Sequence, residues 1–92
     1  MQILVNYMTQ IKKSVGRSKE VIDIESPYGL KDFIVNCLCV RYEKLKIHII
    51  SNNGDFCKGV LIFLNDEKID LNNDILLSDN DEITIMTPIA GG

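Results

Sequence analysis

The sequence predicts an α+β fold, in which a mixed sheet packs on one main helix. Two observations support this prediction. Short runs that alternate apolar and polar residues occur at 1–8, 20–25 and 82–87, and alternation is typical of strands that bury one face. Between them, apolar residues recur every three or four positions from 30 to 45, which is typical of a helix with one buried stripe.

Length and charge exclude several classes of protein. The chain has 92 residues, which predicts one domain over 1–92, with a tail at 88–92. A net charge of -3 is the wrong sign for binding a phosphate backbone, so we expect no nucleic-acid partner. No apolar run approaches the ~20 residues of a membrane span, and the first residues lack the features of a signal peptide. We therefore expect a cytoplasmic protein without a membrane partner.

The first two strands are predicted to form a hairpin. The inward residues of the first strand are Ile3, Val5 and Tyr7, and its outward residues are Leu4, Asn6 and Met8. The segment 9–19 is mostly polar and contains Gly16, so it is predicted to be a connection. The second strand follows at 20–25, with Ile22 and Ile24 on one face.

The main helix is predicted to begin at Ser26-Pro27, because serine caps a helix and proline suits its first position. Its apolar stripe contains Leu30, Phe33, Ile34, Cys37, Leu38, Tyr42 and Leu45. Residues 46–58 are predicted to be extended: an apolar run at 47–50 precedes a turn at 52–55.

The second half of the chain predicts three further strands. The continuous apolar run at 60–64 predicts a buried central strand, followed by a turn at 65–68 and a short strand at 69–71. A tight turn at 79–81 contains Asn80, which tolerates positive φ. In the last strand Ile83 and Ile85 are predicted to point inward, and Thr84 and Met86 outward.

Metal binding and catalysis receive little support. The candidate ligands are Cys37, Cys39, Cys57 and the single His48, without the paired spacing of a zinc site. A catalytic role for Cys57, Asp55 or His48 would need a nucleophile, a base and an orienting group together, and the sequence does not bring them together. We expect buried or idle thiols and no metal.

The informative feature is the ending Pro88-Ile89-Ala90-Gly91-Gly92. Pro88 has no donor to continue a ladder, so the tail is predicted to leave the sheet as an extended, flexible segment. The four residues after it reach about 13 Å when extended. Glycine lacks Cβ and threads a narrow channel, leaving the α-carboxylate of Gly92 open to reaction. Taken alone, a Gly-Gly end is weak evidence, because frayed ends are common.

The order of elements matches the β-grasp fold of ubiquitin-like proteins, and three segments carry a more specific resemblance: 59–65, 77–83 and 87–92. The second is similar to an L-x-D-G-D-E-V turn, with Asn80 where glycine is usual, and Thr87 stands where a second proline often occurs. The whole chain resembles the sulfur-carrier family that includes the molybdopterin synthase small subunit and the thiamine-pathway sulfur carrier. The stretch at 46–58 makes it more similar to the molybdopterin type.

The resemblance implies a protein cosubstrate rather than an enzyme, with no bound cofactor. An activating enzyme would use ATP to adenylate Gly92, and a sulfur donor would then replace AMP to give a thiocarboxylate. In the molybdopterin version, the tail would insert into the large synthase subunit and deliver sulfur to a pterin precursor. Thiamine biosynthesis or tRNA thiolation are other possible pathways for such a carrier.

Two further alternatives stay open. One is a ubiquitin-like modifier joined through Gly92 to a lysine. The other is a simple interaction module whose tail is never activated. For any of these, we expect a partner to dock on an outward apolar surface near the tail, formed by Met8, Met86 and Leu4.

Overall fold

The computed structural model describes residues 1–57, 59–71, 73 and 75–87. Its elements in chain order are β1 (Gln2–Tyr7), α1 (Thr9–Val15), β2 (Lys19–Asp23), α2 (Leu30–Phe33), a π-helical turn (Ile34–Leu38), α3 (Cys39–Arg41), α4 (Glu43–Ile49), β3 (Leu61–Leu64), β4 (Glu67–Lys68) and β5 (Glu82–Met86). The predicted α+β class is confirmed. Within the part of the chain that is described, no helix is both long and apolar enough to cross a bilayer.

The sheet has five strands in the order β2-β1-β5-β3-β4. β1 pairs antiparallel with β2, which confirms the predicted hairpin, and parallel with β5. β5 pairs antiparallel with β3 on its other side. The first and last strands of the described chain therefore lie side by side in the middle of the sheet.

One hydrophobic core joins the inward face of the sheet to the helices. The predicted inward residues of β1 and β5 are all buried, with exposed fractions of 0 or 1%. They are Ile3, Val5, Tyr7, Ile83 and Ile85. From the helices, Leu30, Phe33, Ile34, Leu38 and Leu45 are fully buried, so most of the predicted stripe packs against the sheet.

The predicted helix start at Ser26-Pro27 is wrong, because the helix begins at Leu30 after an extended Gly29. The segment before the helix pairs with another part of the chain instead: Gly29 forms an antiparallel bridge with Leu76. The backbone N–H of Leu30 donates to the carbonyl of Ile75 at 2.7 Å. These bonds hold the backbone extended up to the first helical residue.

The π-helical turn changes which cysteine enters the core. The backbone N–H of Cys39 bonds to the carbonyl of Ile34, five residues back, and this wider turn shifts the phase of the residues that follow. As a result Cys39 is buried at 4% exposure, whereas Cys37, predicted in the stripe, is only half-buried.

The segment 9–19, predicted as a connection, contains the helix α1. Its single fully buried residue, Ile11, anchors it to the core. The helix ends at Gly16, whose φ of 87° and N–H bond to the carbonyl of Lys12 form a left-handed cap. One apolar residue per turn was too weak a signal to predict this helix.

The prediction that 46–58 is extended is wrong for its first residues, because they belong to the helix α4, which ends at Ile49. Leu45 and Ile49 are buried four residues apart, whereas Ile47 is 75% exposed, as expected on a helix and not on a strand. The β-branched run at 47–50 favours a strand locally. Packing of α4 near α1 outweighs that preference. The turn predicted at 52–55 is present, with Gly54 at a φ of 85°.

The predicted short strand at 69–71 is also misplaced, because β4 lies at Glu67–Lys68. Asn65 and Asp66 have φ values of 51° and 69°, and two successive positive φ angles define a tight hairpin turn. The chain therefore re-enters the sheet directly, with Leu64 opposite Glu67. The positive φ predicted at Asn80 is confirmed, at 68°.

A buried carboxylate connects the helical layer to the sheet. Oε1 of Glu20 accepts hydrogen bonds of 2.6 Å from the hydroxyl groups of both Tyr7 and Tyr42. Its Oε2 lies 3.2 Å from Arg17 and 3.6 Å from Arg41. The side chain of Glu20 is only 6% exposed, and every partner is a donor or a cation. Burial alone would raise the pKa of Glu20, but these partners outweigh it and hold the pKa below its ordinary value.

We expect Glu20→Gln to lower the free energy of unfolding at neutral pH by roughly 1.5–3 kcal/mol, the usual size for hydrogen bonds to a charged group. Because the pKa of Glu20 is lower in the folded state, its contribution is present above pH 4.5, the ordinary pKa, and is lost as the pH falls below it. Urea unfolding measured from neutral to acid pH tests both points.

The matched control is Glu25→Gln, which changes an exposed glutamate and is expected to leave the free energy of unfolding at neutral pH nearly unchanged. If Glu20→Gln and the unmodified chain lose stability in parallel below pH 4.5, the network does not contribute as described.

Candidate functional site

The end of β5 is held by the side chain of Thr9. The backbone N–H of Thr87 donates to Oγ1 of Thr9 at 2.9 Å. The same Oγ1 lies 3.0 Å from the carbonyl oxygen of Thr87 and 3.1 Å from its Oγ1. A side chain thus takes the place of the next backbone group in the ladder. The position of the residue that precedes Pro88 is fixed by this contact.

Thr9 adopts an uncommon backbone conformation to make this contact. Its φ is 55°, in the left-handed region that a β-branched residue rarely occupies. Just before it, the N–H of Met8 donates to the carbonyl of Ile85 at 3.0 Å, which completes the β1–β5 ladder. Strained residues of this kind persist where surrounding contacts hold them, and they are frequent at functional sites.

An apolar surface lies beside this strand end on the outward face of the sheet. Met8 follows the last residue of β1 and is 44% exposed. Met86 is half-buried and pairs with Leu61, and Phe63 pairs with Thr84 one step along the same face. We call Met8, Met86, Leu61 and Phe63 the apolar patch. The predicted outward direction of Met8 and Met86 agrees with this arrangement.

Leu4 lies on the same face but is separated from the patch. Along β1, Asn6 stands between Leu4 and Met8, and its Nδ2 donates to Oε2 of Glu82 at 2.7 Å. The same Nδ2 is 3.2 Å from Oγ1 of Thr84. A polar row therefore crosses the sheet between Leu4 and the two methionines that were predicted to group with it.

Sequence reasoning did not find Leu61, Phe63 or Thr9. The continuous apolar run at 60–64 predicted a buried central strand, whereas only Ile62 of this run, at 2% exposure, is fully buried. The strict alternation of the neighbouring β5 would have been the better guide. No local signal marks Thr9, because its role depends on a contact with a residue 78 positions away.

The predicted reactive tail falls outside the described residues. This applies to Pro88, Ile89, Ala90, Gly91 and Gly92, so the predicted reactivity of Gly92 stays a prediction. The described chain contributes the fixed strand end at Thr87 from which these residues follow.

The three cysteines are unpaired thiols. Burial raises the pKa of Cys37 and of Cys39, which keeps both thiols protonated and unreactive at neutral pH. Cys57 is half-buried in a groove of about 670 Å³, lined also by Lys31 and Lys68.

The side chain of His48 is engaged elsewhere: its Nε2 lies 2.8 Å from Oγ of Ser14. This contact joins α4 to α1 and involves no cysteine. Asp55 is exposed in the turn before Cys57. Among the described residues, no three His, Cys, Asp or Glu side chains are grouped to hold a metal ion.

Solved structures share this architecture over the whole chain. The crystal structure of SAMP1 from Haloferax volcanii superposes with a TM-score of 0.85 and 15% identity, covering 100% of both chains. The small archaeal modifier protein 1 of Methanosarcina acetivorans gives a TM-score of 0.81 at 23% identity, over 99% of this chain and 96% of the other. The fold is therefore the β-grasp fold of ubiquitin-like proteins.

A third similar structure is a complex of subunits 1 and 2 of the molybdopterin-converting factor from Helicobacter pylori 26695. It has a TM-score of 0.60 and 26% identity, and the match covers 100% of both chains. No curated protein sequence matches the chain at a significant level.

The family model that matches the sequence is that of the ThiS family, over residues 5–92. This match includes the second half of β1, the strand β5 and the terminal Gly91-Gly92. The chain belongs to the ThiS family, and thus to the ubiquitin-like sulfur carriers.

We expect Thr9→Val to release the end of β5. Valine keeps the branched shape but offers no acceptor to the N–H of Thr87, so exchange of that amide with solvent should accelerate roughly two- to tenfold, the equivalent of one hydrogen bond. Amide exchange measured by NMR tests this. In Thr9→Ser, which keeps the hydroxyl group, the amide of Thr87 should still exchange slowly. The amide of Met8 is an internal reference, and unchanged exchange at Thr87 in Thr9→Val would contradict the proposed contact.

Proposed function

We propose that this chain is a sulfur carrier whose C-terminal Gly92 becomes a thiocarboxylate. The observation that supports this most strongly is the family match, which extends through residue 92 and so includes the Gly-Gly end. The chain is then a cosubstrate that partner enzymes act upon. Its own described residues contribute the docking surface and the fixed strand end, and no catalytic group.

The chemistry requires activation because a carboxylate is a poor acyl donor. Attack of the Gly92 carboxylate on the α-phosphorus of ATP releases pyrophosphate and gives a mixed anhydride with AMP. A persulfide sulfur then attacks the activated carbon and releases AMP, and a thiol cleaves the resulting S–S bond to leave the thiocarboxylate. Glycine at the last two positions leaves this carbon free of side-chain obstruction.

The acceptor that we propose is the large subunit of molybdopterin synthase, with this chain as the small subunit. The similarity to subunit 1 or 2 in the Helicobacter pylori complex, at 26% identity over 100% of the chain, supports this choice. A putative molybdopterin converting factor subunit 1 from Pyrococcus furiosus is also similar in fold, with a TM-score of 0.75. In such a complex the apolar patch faces the partner and the tail enters its active site.

A protein modifier is the second candidate. It is favoured by the structural similarity to small archaeal modifier proteins, at TM-scores of 0.85 and 0.81. The first step, adenylation of Gly92, is the same for both functions. They differ in the nucleophile that then reacts at the Gly92 carbon, which is the sulfur of a persulfide donor for the carrier and a lysine amine of a target protein for the modifier.

A sulfur carrier is expected to change in mass when it is activated. Incubation with ATP, a cognate activating enzyme and a persulfide donor should exchange one oxygen for sulfur, detected by intact-mass spectrometry. Deletion of Gly92 should abolish the exchange while leaving the fold intact, because β5 ends at Met86.

Other outcomes separate the alternatives. An isopeptide-linked adduct with a target protein, and no sulfur exchange, would favour the modifier. No change with a demonstrably active enzyme, while partner binding survives deletion of Gly91 and Gly92, would favour a simple interaction module and overturn the carrier proposal.

Docking of the activating enzyme on the apolar patch is tested by a charge. Met86→Asp places a charge in the apolar patch and should weaken binding of the activating enzyme at least tenfold, or about 1.4 kcal/mol. Thermal stability should change little, since the Met86 side chain points away from the core. Binding is measured by titration calorimetry.

The matched control is Val40→Asp, which introduces the same charge at a residue of α3 that is 72% exposed. It should leave both binding and stability unchanged. A large loss of stability in Met86→Asp with intact binding would show that the patch is not the docking surface.

A further inference from the structure

The strand β2 forms an open edge of the sheet. It is the first strand in the order β2-β1-β5-β3-β4, and among the described strands it pairs only with β1. Its residues Lys19, Val21 and Asp23 are all exposed, and the side chain of Val21 is 60% exposed. An exposed apolar residue in the middle of an edge strand is unusual, because such an edge offers free backbone groups to another strand.

The ladder with β1 fixes which backbone groups are free. The N–H of Tyr7 donates to the carbonyl of Ser18, and that of Ile24 to the carbonyl of Met1, each at 2.8 Å. In an antiparallel pair, hydrogen-bonded residues alternate along each strand. The backbone groups of even-numbered residues in β2 therefore face β1, and those of odd-numbered residues point away from the sheet.

The three odd-numbered residues are self-complementary. Lys19, Val21 and Asp23 alternate with the inward residues, so their side chains lie on the outward face. If a second copy of β2 pairs antiparallel about a two-fold axis at Val21, each Lys19 lies opposite Asp23 of the second copy. The two valines then meet at the centre. Directly opposite charges of unlike sign stabilise such pairs, and like charges destabilise them.

The charges also select one register. A shift of two residues in either direction places Val21 opposite a charged residue, Lys19 or Asp23, and removes the central contact. Charged residues normally protect an edge strand against pairing. Here the order of the charges along β2 favours the symmetric register, because only that register places each Lys19 opposite an Asp23. Asp23 is accessible for this pairing because its side chain is 82% exposed, although the N-terminal ammonium lies 3.6 Å from its Oδ1.

We propose that β2 is the interface of a weak symmetric dimer of this chain, in which two sheets join into one through Lys19, Val21 and Asp23. The pairing involves five residues from each strand, less than a standard interface, so the dimer forms only at high concentration. Both apolar patches lie on the same face of the joined sheet, and neither Gly92 nor the patch takes part. The inference is therefore independent of the proposed function.

The test is sedimentation velocity of the full chain between about 10 µM and 1 mM, the range expected for a small interface. The dimer fraction should rise with concentration. Lys19→Asp sets acid against acid and Asp23→Lys sets base against base, so each variant alone should be monomeric. A mixture of the two should form heterodimers, and a chain with both substitutions should recover the dimer.

Amide exchange gives an independent signature. At high concentration the amides of Lys19, Val21 and Asp23 should gain protection, whereas those of Glu20 and Ile22, already paired with β1, should not change. Circular dichroism and thermal unfolding of each variant confirm that it is folded. A monomer at 1 mM, a dimer that both charge reversals leave intact, or protection confined to the apolar patch would each overturn the proposal.

Discussion

The parallel pairing of β1 with β5 is the contact on which the rest of the structure depends. Four residue pairs, from Leu4–Glu82 to Tyr7–Ile85, form it, and the remaining strands attach on either side. Its inward face contributes the centre of the core. Its outward face brings Met8 next to Met86, and its end is completed by the bond between Thr9 and Thr87. The apolar patch and the fixed strand end at Thr87 are thus two consequences of the register between β1 and β5.

The carboxylate of Glu20 has a different part in the fold. Apolar packing is tolerant of small shifts between helix and sheet, because one aliphatic contact substitutes readily for another. A largely buried carboxylate with two tyrosine donors is less tolerant, since a shift that breaks one of these bonds leaves its oxygen without that hydrogen bond. Tyr7 belongs to β1 and Tyr42 follows α3, so their common acceptor fixes how the helical layer lies on the sheet.

Most of the sheet could be predicted from the sequence because its signals are local. Alternation identified the inward residues of β1 and β5, and the order of elements identified the fold. The helices α1 and α4 could not be predicted in this way. In α1 one residue, Ile11, supplies the burial, and in α4 the β-branched residues at 47–50 favour a strand until tertiary packing decides.

For the site, the outward methionines could be predicted from alternation, but the polar row at Asn6 that separates Leu4 from them could not. That row depends on Glu82 and Thr84, which are distant in sequence. Thr9 was missed for the same reason. Local patterns report which face a residue occupies, and only the register between strands reports its neighbours.

The central position of β5 has a consequence for biosynthesis. Translation proceeds from the N-terminus, so residues 1–81 leave the ribosome before the strand that belongs between β1 and β3. Until Glu82–Met86 emerges, β1 lacks its parallel neighbour and the inward faces of two strands have no complete core to enter. The fold therefore closes only after Glu82–Met86 has been synthesised and has left the ribosome, and a nascent chain cut short before β5 remains open to proteolysis.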